Sequence, residues 1–488
     1  MVTSAPGLLG RIRAGIRDGI SGDWSRLGAR MRALRGDIGA GPGLHAYRTV
    51  AGGRSVRLHL RIHRDRTGLL FINAVQQVHL SPTQAEMAKL ALDGIARPEA
   101  LGRLRTIYPD VPTANLAEEL DRTAEMVRRA SSGPVDCPTC DLGLPQPPPL
   151  SVRAQAPYKA DLALHYRCNN RCSHCYNEPG RRQMRSLAGR EWERVLDRLW
   201  QIGVPYVIFT GGEPTLHDDI VGLIAHASSL GMICGMNTNG RWLSRERHWG
   251  NVHSWFAGDL VMAGLDHVQI TLASHRAEVH DRVVGCEGAF VETVAGIRRA
   301  VECGLHTLTN TTLTRDNAGE ALQIVEFLCG LGVRTFAMNG MIHSGCGAGH
   351  PAALDAVQAA PILERVRDRA GELGMRFLWY TPTEHCRFSP VEAGLGIRCC
   401  NAAEYSICIE PSGDVLPCQS WYEPAGNLLA DPWQSIWDSD LFRRIRYRRE
   451  RPRQAGLPES CAGCERLRIC GGGCLLERSE TPAEVMRA

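Results

Sequence analysis

An alternation of short apolar segments and helical patterns between residues 162 and 338 constrains the fold of this chain more than any other feature. The apolar segments have the length of buried strands, and the segments between them repeat apolar residues at helical spacing. The predicted helices include residues 192–202, 290–303 and 318–331. The predicted strands are residues 162–166, 206–209, 232–236, 267–272, 306–312 and 334–338. Strands that alternate with helices form parallel sheets, so we predict an α/β fold whose sheet curls into a barrel or partial barrel.

The loop after the first predicted strand carries three cysteines, Cys168, Cys172 and Cys175, at x3 and x2 spacing. In barrels of this kind the chemistry lies at the carboxyl ends of the strands, where this loop begins. Three thiolates can hold three corners of a [4Fe–4S] cubane and leave one iron open, whereas a structural cluster takes four. The alternatives are a zinc knuckle, which usually presents two separated pairs of ligands, or unrelated buried thiols.

A glycine-rich loop, Gly211, Gly212, Glu213 and Pro214, follows the second predicted strand. Glycines let the backbone approach a ligand closely, and Glu213 adds an acceptor for an ammonium group. Taken alone, the sequence Gly-Gly-Glu-Pro is more often a turn. Its position after a second strand predicts that it lies near the cysteine loop.

Together the two motifs resemble the signature of the radical S-adenosylmethionine (SAM) superfamily. The resemblance implies that the amino and carboxylate groups of SAM chelate the open iron of a [4Fe–4S] cluster. An electron from the cluster then cleaves SAM to a 5′-deoxyadenosyl radical, so that the cofactor supplies the chemistry. It further implies a partial (β/α)6 TIM-type barrel that is open on one side for a large substrate.

Smaller matches to this superfamily mark further candidate SAM contacts at Asn237, Asn239, His174 and Thr271. Residues 237–240 follow the third predicted strand, although an Asn-Gly turn is the alternative. His174 precedes the last cysteine of the loop, at a position that is often aromatic in the superfamily, and an ordinary loop histidine is its alternative. At the fourth strand the common Ser-Leu-Asp is replaced by Thr271, Leu272 and Ala273, so a carboxylate often found there is absent.

A second block of cysteines occupies the C-terminal part of the chain. Cys400, Gly413 and Cys418 form one half, and the other is Cys461-x2-Cys464-x5-Cys470-x3-Cys474. The second half alone could be a zinc ribbon. The combined order resembles the SPASM extension of radical SAM enzymes, which implies a small cysteine-rich domain with one or two auxiliary [4Fe–4S] clusters.

The SPASM resemblance implies a crossed pattern of ligands. Cys400, Cys418 and Cys474 would bind the first auxiliary cluster, with Cys386 or Cys399 as the candidate fourth ligand. Cys461, Cys464 and Cys470 would bind the second. The downstream cysteine usual in the family is absent after Cys474, which leaves an open or non-cysteine position or a remote residue. The remote candidates are Cys137, Cys140 and Cys408.

The N-terminal third predicts a separate small module. Strands over residues 56–62, 68–72 and 75–80 precede three helices, the first of which begins with an N-cap at Ser81 and a capping-box Gln84. These elements predict an α+β winged-helix-like module. DNA binding is its ordinary function, but many acidic residues accompany its arginines. The module resembles the precursor-peptide recognition element, which implies that a leader peptide is added as a strand to the sheet edge.

Composition narrows the class of protein. The nineteen cysteines are odd in number and lie in motifs, and nothing at the N-terminus resembles a secretory signal. Disulfides are therefore a poor explanation, and we expect a cytoplasmic protein. No apolar run approaches the length of about 18 residues that a membrane span requires. The net charge of +4 gives no bulk field for nucleic acid.

The predicted organisation has six segments. They are a basic, amphipathic or partly disordered extension (1–45), the peptide-recognition-like module (46–132), a linker (133–158), the barrel (159–345), a connector (346–394) and the SPASM domain (395–488). The predicted enzyme abstracts a hydrogen from a ribosomally made precursor peptide and takes electrons from a low-potential donor such as flavodoxin or ferredoxin. Cys346 is a weaker candidate catalytic residue. The alternatives are a small-molecule or protein side-chain substrate, or a non-enzymatic iron–sulfur redox sensor.

Overall fold

The computed structural model describes residues 39–132, 146–249 and 252–478. The chain divides into two compact units between Gln146 and Pro147. Residues 1–38 of the predicted extension, the pair Cys137 and Cys140, and residues 479–488 lie outside the described residues. No helix in the described ranges is long and apolar enough to cross a membrane.

The N-terminal unit combines a four-stranded antiparallel sheet, in the order β1-β2-β3-β4, with three helices. Its strands are β1 (Gly43–Ala51), β2 (Arg54–Ile62), β3 (Gly68–Ile72) and β4 (Gln76–Leu80). Its helices are α1 (Pro82–Leu92), α2 (Arg97–Ile107) and α3 (Thr113–Ser131). The predicted capping box is confirmed, because Ser81 and Gln84 exchange side-chain and backbone hydrogen bonds at the start of α1.

Strand β1 corrects the boundary predicted for the basic extension, which was expected to reach residue 45. Residues of β1 are half-buried or exposed throughout, so the segment lacks the apolar alternation by which strands are recognised. All of its residues nevertheless pair with β2, from Gly43 opposite Ile62 to Ala51 opposite Arg54. The strand is therefore held by its ladder of backbone hydrogen bonds, and the half-buried side chains of Tyr47 and Ala51 pack against the core.

The C-terminal unit contains a nine-stranded sheet in the order β13-β12-β11-β10-β7-β6-β5-β14-β15. Its strands are β5 (Lys159–Ala163), β6 (Tyr206–Thr210), β7 (Ile233–Thr238), β10 (His267–Thr271), β11 (His306–Thr312), β12 (Thr335–Asn339), β13 (Arg376–Trp379), β14 (Ser406–Ile409) and β15 (Val415–Leu416). Only the β14–β15 pair is antiparallel. The six predicted strands are neighbours in this sheet, and the predicted α/β fold with a partial barrel is confirmed. A separate hairpin joins β8 (Glu246–Trp249) and β9 (Val252–Trp255).

In the described residues of this unit, seven helices lie between successive strands along the chain and four short helices follow the last strand. They are α4 (Gly189–Ile202), α5 (Ile220–Leu230), α6 (Phe256–Ala263), α7 (Ala277–Val284), α8 (Ala289–Glu302), α9 (Ala321–Gly330), α10 (Ala356–Glu372), α11 (Trp433–Trp437), α12 (Asp440–Arg446), α13 (Leu467–Cys470) and α14 (Leu475–Arg478). In α4, one face formed by Trp192, Val195, Leu196 and Leu199 is fully buried, as its apolar spacing predicts.

The sheet extends beyond the six predicted strands at both edges. Strand β13 lies in the segment predicted as a connector, and β14 lies in the segment predicted as a separate iron–sulfur domain. Strand β14 pairs in parallel with β5, from Ser406 opposite Lys159 to Ile409 opposite Leu162. This pairing joins the C-terminal segment to the barrel sheet. Its residues Ile407, Cys408 and Ile409 are fully buried. The first predicted strand also ends earlier, at Ala163, where the chain turns into the cysteine loop.

Candidate active site

The three-cysteine loop leaves the carboxyl end of β5 and is fastened to the end of α7. The backbone N–H groups of Arg171 and Ser173 donate to the carbonyls of Val284 and Val283, at 2.8 and 3.0 Å. Within the loop, the N–H of Cys175 lies 3.3 Å from the carbonyl oxygen of Cys172. The structure therefore holds the cysteine loop at the end of the barrel where the sequence predicted chemistry.

The thiols of this loop lie near one another in a buried setting. Burial raises the pKa of Cys168 to about 11, and the carboxylate of Glu213 adds to the rise. Burial also raises the pKa of Cys172, and the nearby thiols of Cys175 and Cys168 raise it further. Such thiols are neutral unless a positive metal centre offsets the buried charge, and metal binding then displaces their protons. A soft donor set of three clustered thiols suits iron–sulfur ligation.

The glycine-rich loop after β6 packs directly on the backbone that enters the cysteine loop. The N–H of Gly212 donates to the carbonyl of His165 at 2.6 Å, and the N–H of Glu213 donates to that of Arg167 at 2.9 Å. A Cβ at Gly211 would lie 2.3 Å from the His165 oxygen, and one at Gly212 would lie 2.0 Å from the Arg167 oxygen. Only glycine permits this approach, so the two predicted motifs form one structural unit.

Glu213 is 1% exposed and connects this unit to the segment after β7. Its carboxylate accepts hydrogen bonds from the hydroxyl groups of Thr215 and Thr238, at 2.7 and 2.6 Å, and from the N–H of Asn239 at 2.7 Å. Burial raises the pKa of this carboxyl group, and the hydrogen bonds oppose the rise. Its predicted role as acceptor of the SAM ammonium group remains a prediction.

Among the predicted SAM contacts after β7, Asn239 meets the cysteine loop. Its side-chain N–H donates to the side-chain oxygen of Asn169 at 2.6 Å. Arg241, which sequence reasoning missed, donates to the Asn169 carbonyl at 2.6 Å and to the Asn170 side chain at 2.8 Å. Its only sequence signal was its position directly after Gly240. Asn237 lies on β7 and pairs with Gln269 across the sheet.

Thr271 and His174 occupy different surroundings. Thr271 ends β10 opposite Asn310, whose side chain donates to Asn339 at 2.7 Å, so polar groups from three adjacent strands line the sheet end. His174 has a buried Nδ1 with no hydrogen-bond partner among the residues that the structure describes. Burial, followed by the charge of His350, lowers the pKa of His174 to about 4, so the ring is neutral at pH 7.

A carboxylate from another segment, that of Glu320, contacts the residues that follow β10. Ser274, directly after Ala273, donates its hydroxyl to Glu320, at the start of α9. Glu320 also lies 3.9 Å from His275 and 3.7 Å from Arg276. Sequence reasoning missed Glu320 because 46 residues separate it from Ser274.

Cys346 lies beside the cysteine loop, in the segment that follows β12. Its N–H donates to the carbonyl of Cys175 at 2.8 Å, and its side chain is exposed. The preceding Gly345 has a φ of +55°, and a Cβ there would lie 2.5 Å from the oxygen of Tyr176. The close backbone contact accounts for a glycine before Cys346. A catalytic role for its thiol remains a prediction.

The thiols predicted to bind the first auxiliary cluster come together from three separate segments. Burial raises the pKa of Cys418, followed by the charges of Cys400 and Cys474. Burial likewise raises the pKa of Cys474 to about 12, and the charge of Cys400 contributes to the rise. Arg448, which is fully buried, donates to the carbonyls of Cys400 and Gly471 and so joins two of these segments. This arginine had no recognisable signal in the sequence.

The second predicted cysteine set includes one unexpected neighbour. Burial raises the pKa of Cys461, and the thiols of Cys470, Cys386 and Cys464 raise it further, against the opposing charge of Arg478. Cys386, a candidate for the first cluster, therefore lies with the second set. The other candidate, Cys399, lies 3.6 Å from the guanidinium of Arg449.

Cys408 is placed away from the second set. It is fully buried in β14, where the charges of Asp161, Glu410 and Cys418 raise its pKa after burial itself. Across the described ranges, no three His, Cys, Asp or Glu side chains are arranged to hold a single metal ion.

Comparisons with known proteins agree with this geometry. The family model of the radical SAM superfamily matches residues 162–328, and that of the SPASM iron–sulfur cluster-binding domain matches residues 399–465. A PqqA peptide cyclase of Methylocella silvestris is 28% identical over 325 residues, which cover 64% of this chain and 80% of that protein. An AdoMet-dependent heme synthase of Nitratidesulfovibrio vulgaris is 27% identical over 326 residues, which cover 62% and 84%.

A solved structure extends the likeness of fold to the N-terminal unit. Streptococcus suis SuiB bound to precursor peptide SuiA has a TM-score of 0.60 and 16% identity, and the match covers 89% of this chain and 98% of that chain. The first match includes the cysteine loop at the barrel end, and the second includes the C-terminal cysteines as far as Cys464. This chain carries a radical SAM domain and a C-terminal SPASM domain, and it is an enzyme.

Proposed function

We propose that the enzyme reductively cleaves SAM to a 5′-deoxyadenosyl radical and abstracts a hydrogen from a ribosomally made precursor peptide. The product is a crosslinked or oxidised residue. The observation that carries the proposal is the packing of the Gly211–Gly212 backbone on the three-cysteine loop. The cysteines of this loop would hold a [4Fe–4S] cluster, which would supply the electron for cleavage of the SAM sulfonium.

The residues around the loop have separate roles in this proposal. Cys168, Cys172 and Cys175 ligate the cluster and leave one iron for SAM. Arg241 and Asn239 hold the loop in place through Asn169, at 2.6 Å each. The 211–214 segment, with His174, Asn237 and Thr271, lines the place where SAM binds. Rigid positioning of this kind keeps the reactive carbon near a single substrate hydrogen.

The peptide substrate is inferred from the N-terminal unit and from the names of similar proteins, a peptide cyclase and a protein bound to a precursor peptide. Strand β4 is an outer strand of its sheet. The N–H of His79 on β4 donates to the side chain of Gln146 at 2.9 Å, and the Gln146 amide donates back to the His79 carbonyl at 3.3 Å. This side chain makes the pair of bonds that an added strand would make, so the β4 edge suits a leader peptide.

The C-terminal cysteines serve electron transfer in this proposal. The set of Cys400, Cys418 and Cys474 would hold an auxiliary cluster that accepts the electron left when the substrate radical becomes a closed-shell product. A low-potential donor such as flavodoxin or ferredoxin supplies the first electron, and the reaction takes place in the cytoplasm. The proposed reaction has no nucleic-acid partner.

Two measurements test the proposed function. The anaerobically reconstituted protein, incubated with SAM and dithionite, should produce 5′-deoxyadenosine, and an absence of this product would reject radical SAM chemistry for the chain. Co-expression with the peptide encoded by a short reading frame beside the gene should then change the mass of that peptide. Loss of two hydrogen masses would identify a crosslink or an oxidation.

A residue-level test separates peptide chemistry from small-molecule chemistry, which the likeness to a heme synthase keeps as the alternative. His79→Pro removes the outward N–H donor of β4. It should weaken binding of the co-expressed peptide by at least about tenfold, since it loses a backbone hydrogen bond and crowds the edge. Formation of 5′-deoxyadenosine without peptide should stay unchanged. An unaltered peptide affinity would reject leader binding at this edge.

A further inference from the structure

We propose that Cys386 is the fourth thiolate ligand of the second auxiliary [4Fe–4S] cluster, together with Cys461, Cys464 and Cys470. The inference rests on the iron–sulfur role proposed for the C-terminal cysteines. It assigns a fourth ligand to a set that otherwise contains three cysteines. A structural [4Fe–4S] cluster takes four cysteines, and the four thiols named here form such a donor set.

The segment that carries Cys386 packs against the segment that carries Cys470. The N–H of His385 donates to the Cys470 sulfur at 3.4 Å, and that sulfur lies 3.7 Å from the carbonyl oxygen of Thr383. A Cβ at Gly473 would lie 2.8 Å from the side chain of Glu384, so the two backbones are in close contact. Arg466, between Cys464 and Cys470, extends this contact to the His385 carbonyl at 3.4 Å.

The other cysteines near the C-terminal sets are engaged elsewhere. Cys399 adjoins Cys400 in sequence and contacts Arg449, which forms an ion pair with Glu404 at 2.7 Å. Cys408 is enclosed in the barrel sheet next to Cys418. Cys474 lies with Cys400 and Cys418. Of the cysteines in the described residues around these sets, Cys386 is therefore the one whose neighbours match the second set.

The exposure of the four thiols places this site at the protein surface. Cys386 and Cys464 are exposed, Cys461 is half-buried and Cys470 is buried. A cluster held by them would be buried on one side and accessible to a partner protein or solvent on the other. Because the potentials of such clusters depend on solvent exposure, this cluster should differ in potential from one held by the buried thiols of Cys418 and Cys474.

Matched substitutions test the assignment. The full-length wild type, reconstituted anaerobically, should contain roughly twelve irons per chain from three clusters. Cys386→Ala should lose about four irons and one component of the reduced paramagnetic resonance spectrum. It should keep 5′-deoxyadenosine formation, which reports the separate cluster at the barrel loop and shows that the variant is folded. The control is Cys329→Ala, which removes a half-buried thiol of α9 outside the predicted ligand sets, and it should keep the wild-type iron content and spectrum.

Three outcomes would overturn the proposal. The first is a Cys386→Ala variant with full iron content and an unchanged spectrum, and the second is an equal iron loss in the control Cys329→Ala. The third is a wild type with only about eight irons, since no second auxiliary cluster would then form. Loss of 5′-deoxyadenosine in the wild type would instead reject the proposed radical chemistry, so the two failures are distinguishable.

Discussion

The cysteines of the barrel loop and those of the first auxiliary set are gathered in opposite ways. Cys168, Cys172 and Cys175 lie within one short loop, and backbone contacts of that loop with its neighbours hold it. The first auxiliary set, Cys400, Cys418 and Cys474, comes from separate segments. More than fifty residues separate Cys418 from Cys474. They are brought together by strand β14 and by the buried side chain of Arg448. A local set depends on close backbone packing, whereas a dispersed set depends on the tertiary structure.

The largest effect should come from removing the local set. Cys168→Ala/Cys172→Ala/Cys175→Ala should abolish 5′-deoxyadenosine formation and lose about four irons per chain, because no other thiols can replace the cluster that binds SAM. Iron analysis and product quantification check this. The matching Cys400→Ala/Cys418→Ala variant should lose a similar amount of iron yet still form 5′-deoxyadenosine. Its peptide product should be lost, and equal SAM cleavage by both variants would contradict the comparison.

A single substitution in the glycine-rich loop should strongly slow the 5′-deoxyadenosine formation that depends on the barrel-loop cysteines. In Gly212→Ala the added Cβ would lie 2.0 Å from the Arg167 oxygen, so the two loops must separate. A displacement of about 1 Å at a reacting centre can cost roughly 100-fold in rate, and we expect that reduction in 5′-deoxyadenosine formation. Gly222→Ala in α5 is the control, because a Cβ there meets nothing within 4 Å. It should leave the rate unchanged, and equal rates in both variants would refute the packing argument.

Loss of one arginine side chain should damage the first auxiliary set of cysteines more than the set in the barrel loop. Arg448→Met leaves the carbonyls of Cys400 and Gly471 without their donor inside the protein, which should lower the free energy of unfolding by about 3 kcal/mol. Iron of the first auxiliary cluster should fall with it. Arg241→Met removes the half-buried clamp on the cysteine loop, which also has backbone bonds at 2.8 and 3.0 Å. Urea unfolding and iron analysis would show a smaller loss, and the reverse order would contradict this account.

Per residue, acid should produce the smallest effect, and it should act on the barrel. Burial lowers the pKa of His165, His267 and His280 to about 4, against about 6.5 in the unfolded chain. The unfolded state therefore binds more protons, and stability that is complete above pH 6.5 is lost as the pH falls towards 4. We expect a decrease on the order of 1–3 kcal/mol per histidine in urea titrations. His267→Gln should reduce this pH dependence, and an unchanged dependence would exclude His267 as a source.

Much of the fold could be predicted because its signals are local. The apolar spacing of α4, the capping box at Ser81 and the six barrel strands each depend on residues close in sequence. Strands β1 and β13 were missed for the same reason. Strand β1 is half-exposed and owes its place to pairing with β2, and β13 is a four-residue strand at the sheet edge. Pairing with a neighbour, rather than a residue pattern, specifies such strands.

The sequence by itself determined the barrel, the three-cysteine loop and the glycines that pack on it, because each is encoded within a few consecutive residues. Only the tertiary structure decided how the dispersed cysteines are grouped. It placed Cys386 with the second set and Cys408 inside the sheet, and it brought Arg241, Glu320 and Arg448 to their partners. The physical reason is that thiol grouping and buried polar contacts depend on which distant segments pack together. Spacing along a chain does not carry that information.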